Sequence, residues 1–600
     1  MKKRISDYIA QFLVENQIDT IFSVVGGGAM YLNDSLGHNP QLHCVYQHHE
    51  QACSMAAEGY ARVNNKIAVV CVTSGPGAIN ALNGVVGAYQ DSIPMIVLSG
   101  QVKTTLTVRN SGLDLRTLGG QEFDIVSSLK NATKYAEMVT DPKMIRYCLE
   151  KALFMARDGR PGPCWLDIPL DIQSRVIDVD TLPGYEVNGE IDIEKNDATI
   201  TNICNMIQNA KRPVIYAGNG IRISQGEEEF KELVNRLGIP VVTCWNSIDL
   251  IESEHPYYVG RGGIMGDRAG NFAVQNSDLV LAIGNRLSIY QVGYDKESWA
   301  RKAYVIDVDI DPQELNKPTI RVDMPVCMDA KVFLSRLNQK MKGYDLPTYN
   351  HWVQRCRCWK EKYPVVMDKH YKDDGLVNVY AFIDTLSREC GSRFITVVSN
   401  GSASVVGSQS YYISEGQRFI MNCALSSMGY GLPASIGVCE ANDRRDVVCI
   451  EGDGSIQMNI QELQTVVTNA LPIKIFIINN GGYHQIRQTQ KNVFSDALIG
   501  VGPESGDLGF PDFEKIAWAY GIPYERIQKN SELVDKIRNS LNMEGYCICE
   551  VMCSMNQCFE PKLSTKRMPD GTLYSPPLED MAPFLSRTEL EENMIIGLYE

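Results

Sequence analysis

Two short polar segments decide how this chain folds: Glu451-Gly452-Asp453-Gly454-Ser455 and Asn479-Asn480-Gly481-Gly482. Each follows a run of mostly β-branched apolar residues, at 446–450 and 473–478, and the stretch 459–470 between them has helical periodicity. A strand, a helix and a second strand in this order predict a βαβ unit with two parallel neighbouring strands. The two polar segments should therefore meet at the same edge of the sheet.

The side chains at this predicted edge suit a hard cation next to a phosphate. Asp453 offers a carboxylate, Asn480 a side-chain carbonyl and Gly482 a backbone carbonyl, the oxygen ligands that Mg²⁺ prefers. Gly454 and Ser455 offer N–H groups at a helix start, where a diphosphate is favoured. Asp-Gly alone is also a common turn pair, but the second polar segment at the same edge favours a binding site.

The rest of the chain repeats the alternation of β-branched runs and helical patterns. This predicts an α/β fold with three doubly wound parallel-sheet domains, each covered by helices on both faces. Two polar stretches, 180–196 and 340–350, interrupt the pattern. They predict domains at 1–180, 190–342 and 350–560, followed by a proline-rich tail at 561–600 that lies over the surface.

Composition excludes several classes of partner. With 57 Lys and Arg against 72 Asp and Glu, the 600-residue chain has a net charge of −15, which disfavours nucleic acid and anionic membranes. We find neither an uninterrupted apolar segment of membrane-spanning length nor an apolar stretch typical of a signal peptide. The 18 cysteines are scattered, mostly in apolar segments, which predicts a reducing compartment and a cytoplasmic location.

Several motifs resemble thiamine-diphosphate (ThDP) enzymes, in particular the acetolactate synthase branch. Gly-Asp-Gly followed by about two dozen residues and Asn-Asn resembles the ThDP fingerprint. Further matches lie at 49–52, 57–62, 73–80, 91–95, 159–163, 306–309 and 428–433. The resemblance covers roughly 1–560. It implies a pyrimidine-binding domain, a central Rossmann-like domain and a diphosphate-binding domain, in a homodimer or homotetramer with ThDP between subunits.

The resemblance also implies roles for single residues. Glu50 would bind the cofactor's pyrimidine nitrogen N1′ and promote the imino tautomer, which is acid–base work by a positioned carboxylate. Met428 would hold the cofactor in its bent shape. Gln121 resembles the family's active-site glutamine, and His484, just past the metal segment, is a candidate to reach the substrate.

The diphosphate contacts depart from the family pattern at one point. Ser399-Asn400-Gly401-Ser402 replaces the usual motif, although Gly401 and Ser402 can still donate to the diphosphate.

Four substitutions fall in the family's acceptor pocket. Gly120 replaces a phenylalanine, Leu170 a lysine, Met265 a histidine and Thr489 a tryptophan. Because two bulky aromatics are lost, we expect an acceptor larger than a second pyruvate, such as a keto-sugar nucleotide.

FAD remains open. Gly218 and Gly220 in a strand-to-helix turn, Asp307 after a later strand, and Arg286 resemble the family's flavin and substrate residues. A lone Gly-x-Gly is more often only a tight turn. The loss of a histidine at Met265 weakens the flavin pattern.

Together these features predict an enzyme of the lyase or transferase class that depends on ThDP and Mg²⁺. It would decarboxylate a 2-oxoacid, most simply pyruvate, and transfer the two-carbon unit to a carbonyl acceptor. Two alternatives stay open: a simple 2-oxoacid decarboxylase, and a non-catalytic homologue that binds no ThDP.

Overall fold

Three six-stranded parallel sheets organise the chain. The computed structural model describes residues 1–187, 195–494, 498–567, 570 and 572–599. The predicted α/β class with three parallel sheets is confirmed. Residues 188–194 of the predicted linker, including the expected start of the second domain, lie outside the described residues, so the domain limits stay predictions.

The first sheet has the strand order β3-β2-β4-β5-β7-β6, and β1 pairs antiparallel with β8 beside it. Its strands are β1 (Lys2–Arg4), β2 (Thr20–Ser23), β3 (His43–Tyr46), β4 (Val69–Val72), β5 (Met95–Gln101), β6 (Tyr135–Met138), β7 (Pro163–Pro169) and β8 (Val176–Asp178). Its helices are α1 (Ile5–Glu15), α2 (Met30–Gly37), α3 (Glu50–Asn64), α4 (Pro76–Asp91), α5 (Val108–Ser111), α6 (Ile125–Ser128), α7 (Ile145–Arg157) and α8 (Leu170–Gln173). Every residue of β4, β5 and β7 is buried, as expected for strands covered on both faces.

The second sheet has the order β11-β10-β9-β12-β13-β14, the Rossmann arrangement that reverses next to its first strand. Its strands are β9 (Pro213–Ala217), β10 (Val241–Thr243), β11 (Tyr258–Arg261), β12 (Leu279–Ile283), β13 (Tyr304–Asp309) and β14 (Met324–Cys327). Its helices are α9 (Lys195–Asn209), α10 (Gly220–Ile223), α11 (Glu227–Leu237), α12 (Arg268–Gln275), α13 (Ile289–Val292), α14 (Pro312–Leu315) and α15 (Ala330–Met341).

The third sheet has the order β16-β15-β17-β18-β20-β19. Its strands are β15 (Ile395–Val398), β16 (Arg418–Met421), β17 (Val447–Gly452), β18 (Ile473–Asn479), β19 (Tyr524–Ile527) and β20 (Cys547–Met552), and a two-stranded ribbon of β21 (Lys566–Arg567) and β22 (Leu573–Tyr574) follows. The helices are α16 (Asn350–Lys362), α17 (Val379–Cys390), α18 (Ser402–Ser410), α19 (Gly431–Ala441), α20 (Leu463–Thr468), α21 (His484–Phe494), α22 (Phe513–Tyr520), α23 (Leu533–Asn542) and α24 (Arg587–Asn593).

The predicted βαβ unit is present, but its helix is shorter than expected. β17 and β18 pair in parallel, as predicted. The helical stretch predicted at 459–470 is α-helical only in α20, and two 3₁₀ turns precede it. Asn459 causes the difference, because its backbone is non-helical (φ −139°) and its side chain donates to the Gly429 carbonyl oxygen.

Helices α3 and α19 join the first domain to the third through glycine. A Cβ at Gly437 would lie 1.8 Å from the Ala56 carbonyl oxygen, and one at Gly59 would lie 2.5 Å from the Ala434 carbonyl oxygen. The two helix backbones therefore touch where any larger residue would separate them.

The tail packs into the central domain. Its Leu578, Leu590 and Met594 are buried among aromatic residues of α12 and α16. Glu579 forms a buried ion pair with Arg301 at 2.8 Å. The predicted surface tail thus contributes to a hydrophobic core. Within the part of the chain that the structure describes, no helix is both long and apolar enough to cross a membrane.

Candidate active site

A cleft of about 360 Å³ opens at the carboxyl edge of the third sheet. We call it the C-terminal cleft. Its walls include nine residues predicted from the sequence: Gly401, Ser402, Met428, Asp453, Gly454, Ser455, Asn480, Gly482 and His484. The ends of β17 and β18 meet here, as the βαβ interpretation requires.

Asp453 is a buried carboxylate at the floor of this cleft, with 1% of its surface exposed. Its Oδ1 accepts from the Gly454 N–H at 3.0 Å and its Oδ2 from the Gly482 N–H at 2.7 Å. Burial nevertheless raises the pKa of Asp453 to about 7. Among the described residues no cationic side chain forms an ion pair with it. The nearby Arg487 guanidinium offsets only part of the effect of burial on its pKa. A buried acid with backbone donors and no ion-pair partner among the described residues fits a metal ion.

The wall opposite Asp453 combines an amide with a helix start. Asn480 is buried and its Nδ2 donates to Ser402 Oγ at 3.0 Å, so the amide oxygen is turned away from Ser402. Ser402 begins the nine-residue helix α18, directly after Gly401. Gly401 has φ 65° and ψ −129°, a conformation that favours glycine. The N-terminus of α18 thus faces the cleft, where it suits an anion.

Gly482 has φ 118° and lies close to the Val501 carbonyl oxygen, which a Cβ would approach to 2.1 Å. Its carbonyl oxygen accepts from the His484 N–H at 2.9 Å and keeps a second lone pair for a metal.

The loop that carries Met428 is fixed by hydrogen bonds at Gly429. The Gly429 N–H donates to Ser455 Oγ at 2.8 Å, and Asn459 donates to its carbonyl oxygen at 2.7 Å. The half-buried Met428 side chain therefore has a defined place in the cleft wall.

His484 lines the cleft, but both of its ring nitrogens have neighbours. Nε2 lies 2.6 Å from the Gln557 carbonyl oxygen, and Nδ1 lies 3.4 Å from the Arg487 guanidinium. With the proton on Nε2, the ring donates to Gln557 and accepts from Arg487 through Nδ1. The Gln488 side-chain amide lies 2.7 Å from the same Nε2. Burial lowers the pKa of His484, so the ring is neutral at neutral pH.

Glu50 and Gln121 are not brought to the C-terminal cleft within one chain. Glu50 begins α3, half-buried, and its Oε2 accepts from Asn80 Nδ2 at 3.0 Å. Gln121 is exposed with φ 62°, and its carbonyl oxygen lies against Gly75. The described residues that line the cleft all fall between 400 and 486.

A second cavity, of about 550 Å³, lies between the first and central domains. Gly220 and Arg286 line it, whereas Gly218 and Asp307 do not. Both glycines are explained by the neighbouring loop, since a Cβ at Gly218 would lie 2.2 Å from the Gly284 carbonyl oxygen and one at Gly220 would lie 2.6 Å from Gly284 Cα.

Arg286, which lines this cavity, has a carboxylate partner, whereas Asp307 lies outside the lining. The Arg286 guanidinium is 2.9 Å from Glu314. Asp307 is buried with an unpartnered Oδ1, and burial raises its pKa well above the ordinary value.

The four substituted acceptor-pocket positions are also spread over the chain. Gly120 is exposed, and a Cβ there would meet nothing within 4 Å. Thr489 is exposed on α21, and Leu170 and Met265 are half-buried in the first and central domains. None of the four lines the C-terminal cleft.

Two residues near the cleft were missed in the sequence. Glu451 is fully buried, accepts from the Leu432 N–H at 3.0 Å, and has its pKa raised to about 7 by burial. Arg487 is 1% exposed and donates to the carbonyl oxygens of Asn480 and Gly481. The sequence did offer a signal for each. Glu451 stands at the end of a buried strand, and Arg487 lies one helical turn after His484.

Three family models match the chain in order. They are the thiamine pyrophosphate enzyme N-terminal TPP binding domain at 3–126, central domain at 200–337 and C-terminal TPP binding domain at 399–551. The chain is also 32% identical over 535 residues to the acetolactate synthase large subunit of Corynebacterium glutamicum, covering 89% of this chain and 84% of that protein. The chain belongs to the thiamine pyrophosphate enzymes. The resemblance noted from its motifs is confirmed.

Other relatives of this ThDP enzyme carry the same kind of name. The acetolactate synthase isozyme 3 large subunit of Escherichia coli is 31% identical over 553 residues, covering 89% of this chain and 93% of that protein. The chloroplastic acetolactate synthase of Arabidopsis thaliana is 30% identical over 560 residues, covering 91% and 81%. The chain is thus an acetolactate synthase-like ThDP enzyme, and the non-catalytic alternative is set aside.

Proposed function

We propose that this ThDP enzyme decarboxylates a 2-oxoacid, with pyruvate as the first candidate, and joins the remaining acyl unit to the carbonyl of a second molecule. The observation that carries the proposal is the buried Asp453, which forms no ion pair among the described residues, beside the N-terminus of α18, in a chain whose relatives are named acetolactate synthase. When bound, ThDP supplies the nucleophilic carbon and the electron sink for loss of CO₂.

The C-terminal cleft would hold Mg²⁺ and the diphosphate. Asp453, Asn480 and Gly482 offer three oxygen ligands. Burial raises the pKa of Asp453 to about 7, and a divalent cation would offset the cost of keeping its negative charge buried. Gly401, Ser402, Gly454 and Ser455 would line the phosphate site, with Ser402 and Ser455 as donors to the phosphate oxygens. The Gly401 N–H already donates to Asn400 and the Gly454 N–H to Asp453, so the two glycines would give the phosphate room to approach.

Glu50 would hold and move the proton at the pyrimidine nitrogen N1′. Its Oε2 is held by Asn80, which orients the carboxylate and leaves Oε1 for the cofactor. Gln121 and His484 would orient the substrate. Both His484 ring nitrogens already have neighbours, the Gln557 carbonyl oxygen and the Arg487 guanidinium, so no free N–H points to the reacting group, which disfavours the simple decarboxylase alternative.

A homodimer, or a tetramer built from it, would complete the site, because Glu50 does not line the C-terminal cleft of its own chain. Exposed apolar side chains near both halves support this pairing: Val25, Met30 and Ile79 in the first domain, and Met458, Ile486 and Ile499 in the third.

Mixing two inactive variants tests the pairing. A dimer of Glu50→Gln with Asp453→Ala has one intact site if the two residues act across subunits. Random mixing should then restore about one quarter of wild-type activity. If both residues acted within one chain, the mixture would stay inactive.

FAD binding is a separate proposal, for the cavity between the first and central domains. The volume of about 550 Å³ and the flanking Arg286 and Asp309 favour a nucleotide there. The packing of Gly218 and Gly220 against Gly284 removes those glycines as support. The absorbance spectrum of the purified protein tests it, since bound flavin absorbs at about 450 nm.

The acceptor is proposed to be larger than pyruvate, with a keto-sugar nucleotide as one candidate, because of Gly120 and Thr489. Release of CO₂ from pyruvate, measured with and without a panel of aldehydes, ketones and keto-sugar nucleotides, tests the reaction and identifies the acceptor. A cytoplasmic location is proposed because all 18 cysteines are unpaired.

A further inference from the structure

A third cavity adjoins the C-terminal cleft, on the other side of His484. It has a volume of about 330 Å³ and lies between α21 and the chain segments at 555–564 and 582–583. His484 lines both this cavity and the C-terminal cleft. The two spaces are therefore neighbours, and the His484 residue borders both.

Cations dominate the wall of this third cavity. Arg487, Lys491 and Lys562 line it, against the single carboxylate of Glu560. The Glu560 carboxylate pairs with Lys369, which does not line the cavity, at 2.9 Å. Arg487 and Lys491 share the Glu504 carboxylate, at 2.8 and 3.3 Å.

Lys562 is the cation without a carboxylate partner in the part of the chain described. Its Nζ donates to Gln488 Oε1 at 3.2 Å, a neutral acceptor. Its backbone is fixed by pairing in both directions with Ala582, at 2.9 and 2.8 Å. The side chain is half-buried, and burial lowers the pKa of its ammonium group. A partly desolvated cation held in place beside an open cavity is suited to an anionic ligand.

The remaining polar groups around Lys562 are neutral. Gln488, Asn492, Asn556 and Ser564 line the same cavity. The Gln488 amide is engaged by Gln557 and Lys562, whereas Asn492, Asn556 and Ser564 have side-chain groups that can donate to a ligand.

Arg487 is 1% exposed and already bound by two backbone carbonyls and Glu504, so Lys562 is the cation left for a ligand, with Lys491 at the edge of the same wall. An ammonium group that pairs with no described carboxylate, with amide and hydroxyl donors beside it, matches the oxygens of a phosphate or diphosphate.

We propose that the third cavity binds the phosphate or diphosphate group of the acceptor while the acceptor's carbonyl faces the cofactor held in the C-terminal cleft. This inference rests on the proposed carboligation, and it assigns a chemical class to the second substrate. An acceptor that spans both spaces is one with a carbonyl at one end and a phosphorylated group beyond His484.

Binding of a nucleoside diphosphate tests the assignment without turnover. The protein is saturated with ThDP and Mg²⁺, so that the C-terminal cleft is filled, and is titrated with uridine diphosphate and with inorganic pyrophosphate by calorimetry. We expect saturable binding that Lys562→Gln weakens about tenfold or more, because one charge-assisted contact is lost. Lys562→Arg should retain most of the affinity.

Lys515→Gln is the matched control, because the Lys515 side chain is 84% exposed on α22, and this variant should bind both probes like the wild type. Equal affinity in Lys562→Gln and wild type, or no saturable binding at millimolar probe, overturns the assignment. Absence of CO₂ release from pyruvate by the wild type would instead overturn the proposed function, so the two failures are distinguishable.

Discussion

The first and third domains have the same strand order but carry different chemistry at the same edge. Numbered along the chain within each sheet, β3-β2-β4-β5-β7-β6 and β16-β15-β17-β18-β20-β19 are one arrangement. In the first domain the edge carries Glu50, which begins the helix after β3. In the third it carries Asp453 after β17 and Asn480 after β18. The shared sheet sets where loops lie, and the loop residues set what they bind.

The two acids differ in environment as well as in position. Glu50 is half-buried and has a side-chain donor in Asn80, an arrangement suited to a group that exchanges a proton with a ligand. Asp453 is almost fully buried with only backbone donors, an arrangement suited to a permanent charge that a cation balances.

The largest expected effect is the loss of ThDP binding when the acid of the third domain is removed. Asp453→Ala should abolish saturable ThDP binding at millimolar Mg²⁺, because the anionic ligand that links the metal to the protein is removed. Tryptophan fluorescence during ThDP titration measures it. Glu514→Gln, with a side chain 63% exposed, is the control and should bind normally. An unchanged ThDP affinity in Asp453→Ala would place the metal elsewhere.

The matching change in the first domain should separate binding from proton transfer. Glu50→Gln should bind ThDP nearly as well as the wild type but slow exchange of the cofactor C2 proton by about 10²–10⁴-fold, since an amide cannot accept the proton. Hydrogen–deuterium exchange followed by NMR gives the rate. Exposed Glu15 supplies the control variant Glu15→Gln. Wild-type exchange in Glu50→Gln would remove this residue from the mechanism.

The acceptor proposal predicts a smaller, selective effect. Gly120→Phe with Thr489→Trp should reduce transfer to a large acceptor by about tenfold or more, while CO₂ release from pyruvate continues. Both positions are exposed in one chain, so the added rings are not expected to disturb the fold. If the wild type makes acetolactate as fast as any other product, and the double variant does too, the enlarged pocket is refuted.

The smallest effect concerns a buried acid inside the first sheet. Asp167 accepts from Ser99 and Gln101 at 2.6 and 3.0 Å, yet burial raises its pKa to about 7. Because its folded pKa lies above its ordinary value of 3.8, ionisation destabilises the fold increasingly from about pH 4 to pH 7. Asp167→Asn removes this cost. The difference in melting temperature between variant and wild type should become more positive by about 1–3 °C from pH 5 to pH 8. An equal difference at both pH values contradicts the assignment.

The sequence was sufficient to predict the parallel sheets, because their inner strands are long apolar runs. The run at 473–478 corresponds to β18 and the run beginning at Met95 to β5. It was also sufficient for the meeting of Asp453 and Asn480, since neighbouring parallel strands end at one edge.

Other features depended on contacts between distant parts of the chain. Three features are of this kind: Glu50 lies away from the C-terminal cleft, Gly218 packs against Gly284, and Leu578 is buried in the central domain. Local patterns carry no information on them. The helix at 459–470 failed for a similar reason, because Asn459 bonds to a loop 30 positions earlier in the chain.

The missing side chains at Gly59 and Gly437 have a consequence for catalytic alignment. They set the distance between the backbones of α3 and α19, and Glu50 is the first residue of α3. A methyl group at Gly437 would force these helices apart. If Glu50 acts on the cofactor as proposed, a displacement of about 1 Å would slow its proton transfer, so two absent methyl groups would tune the reaction from a helix contact.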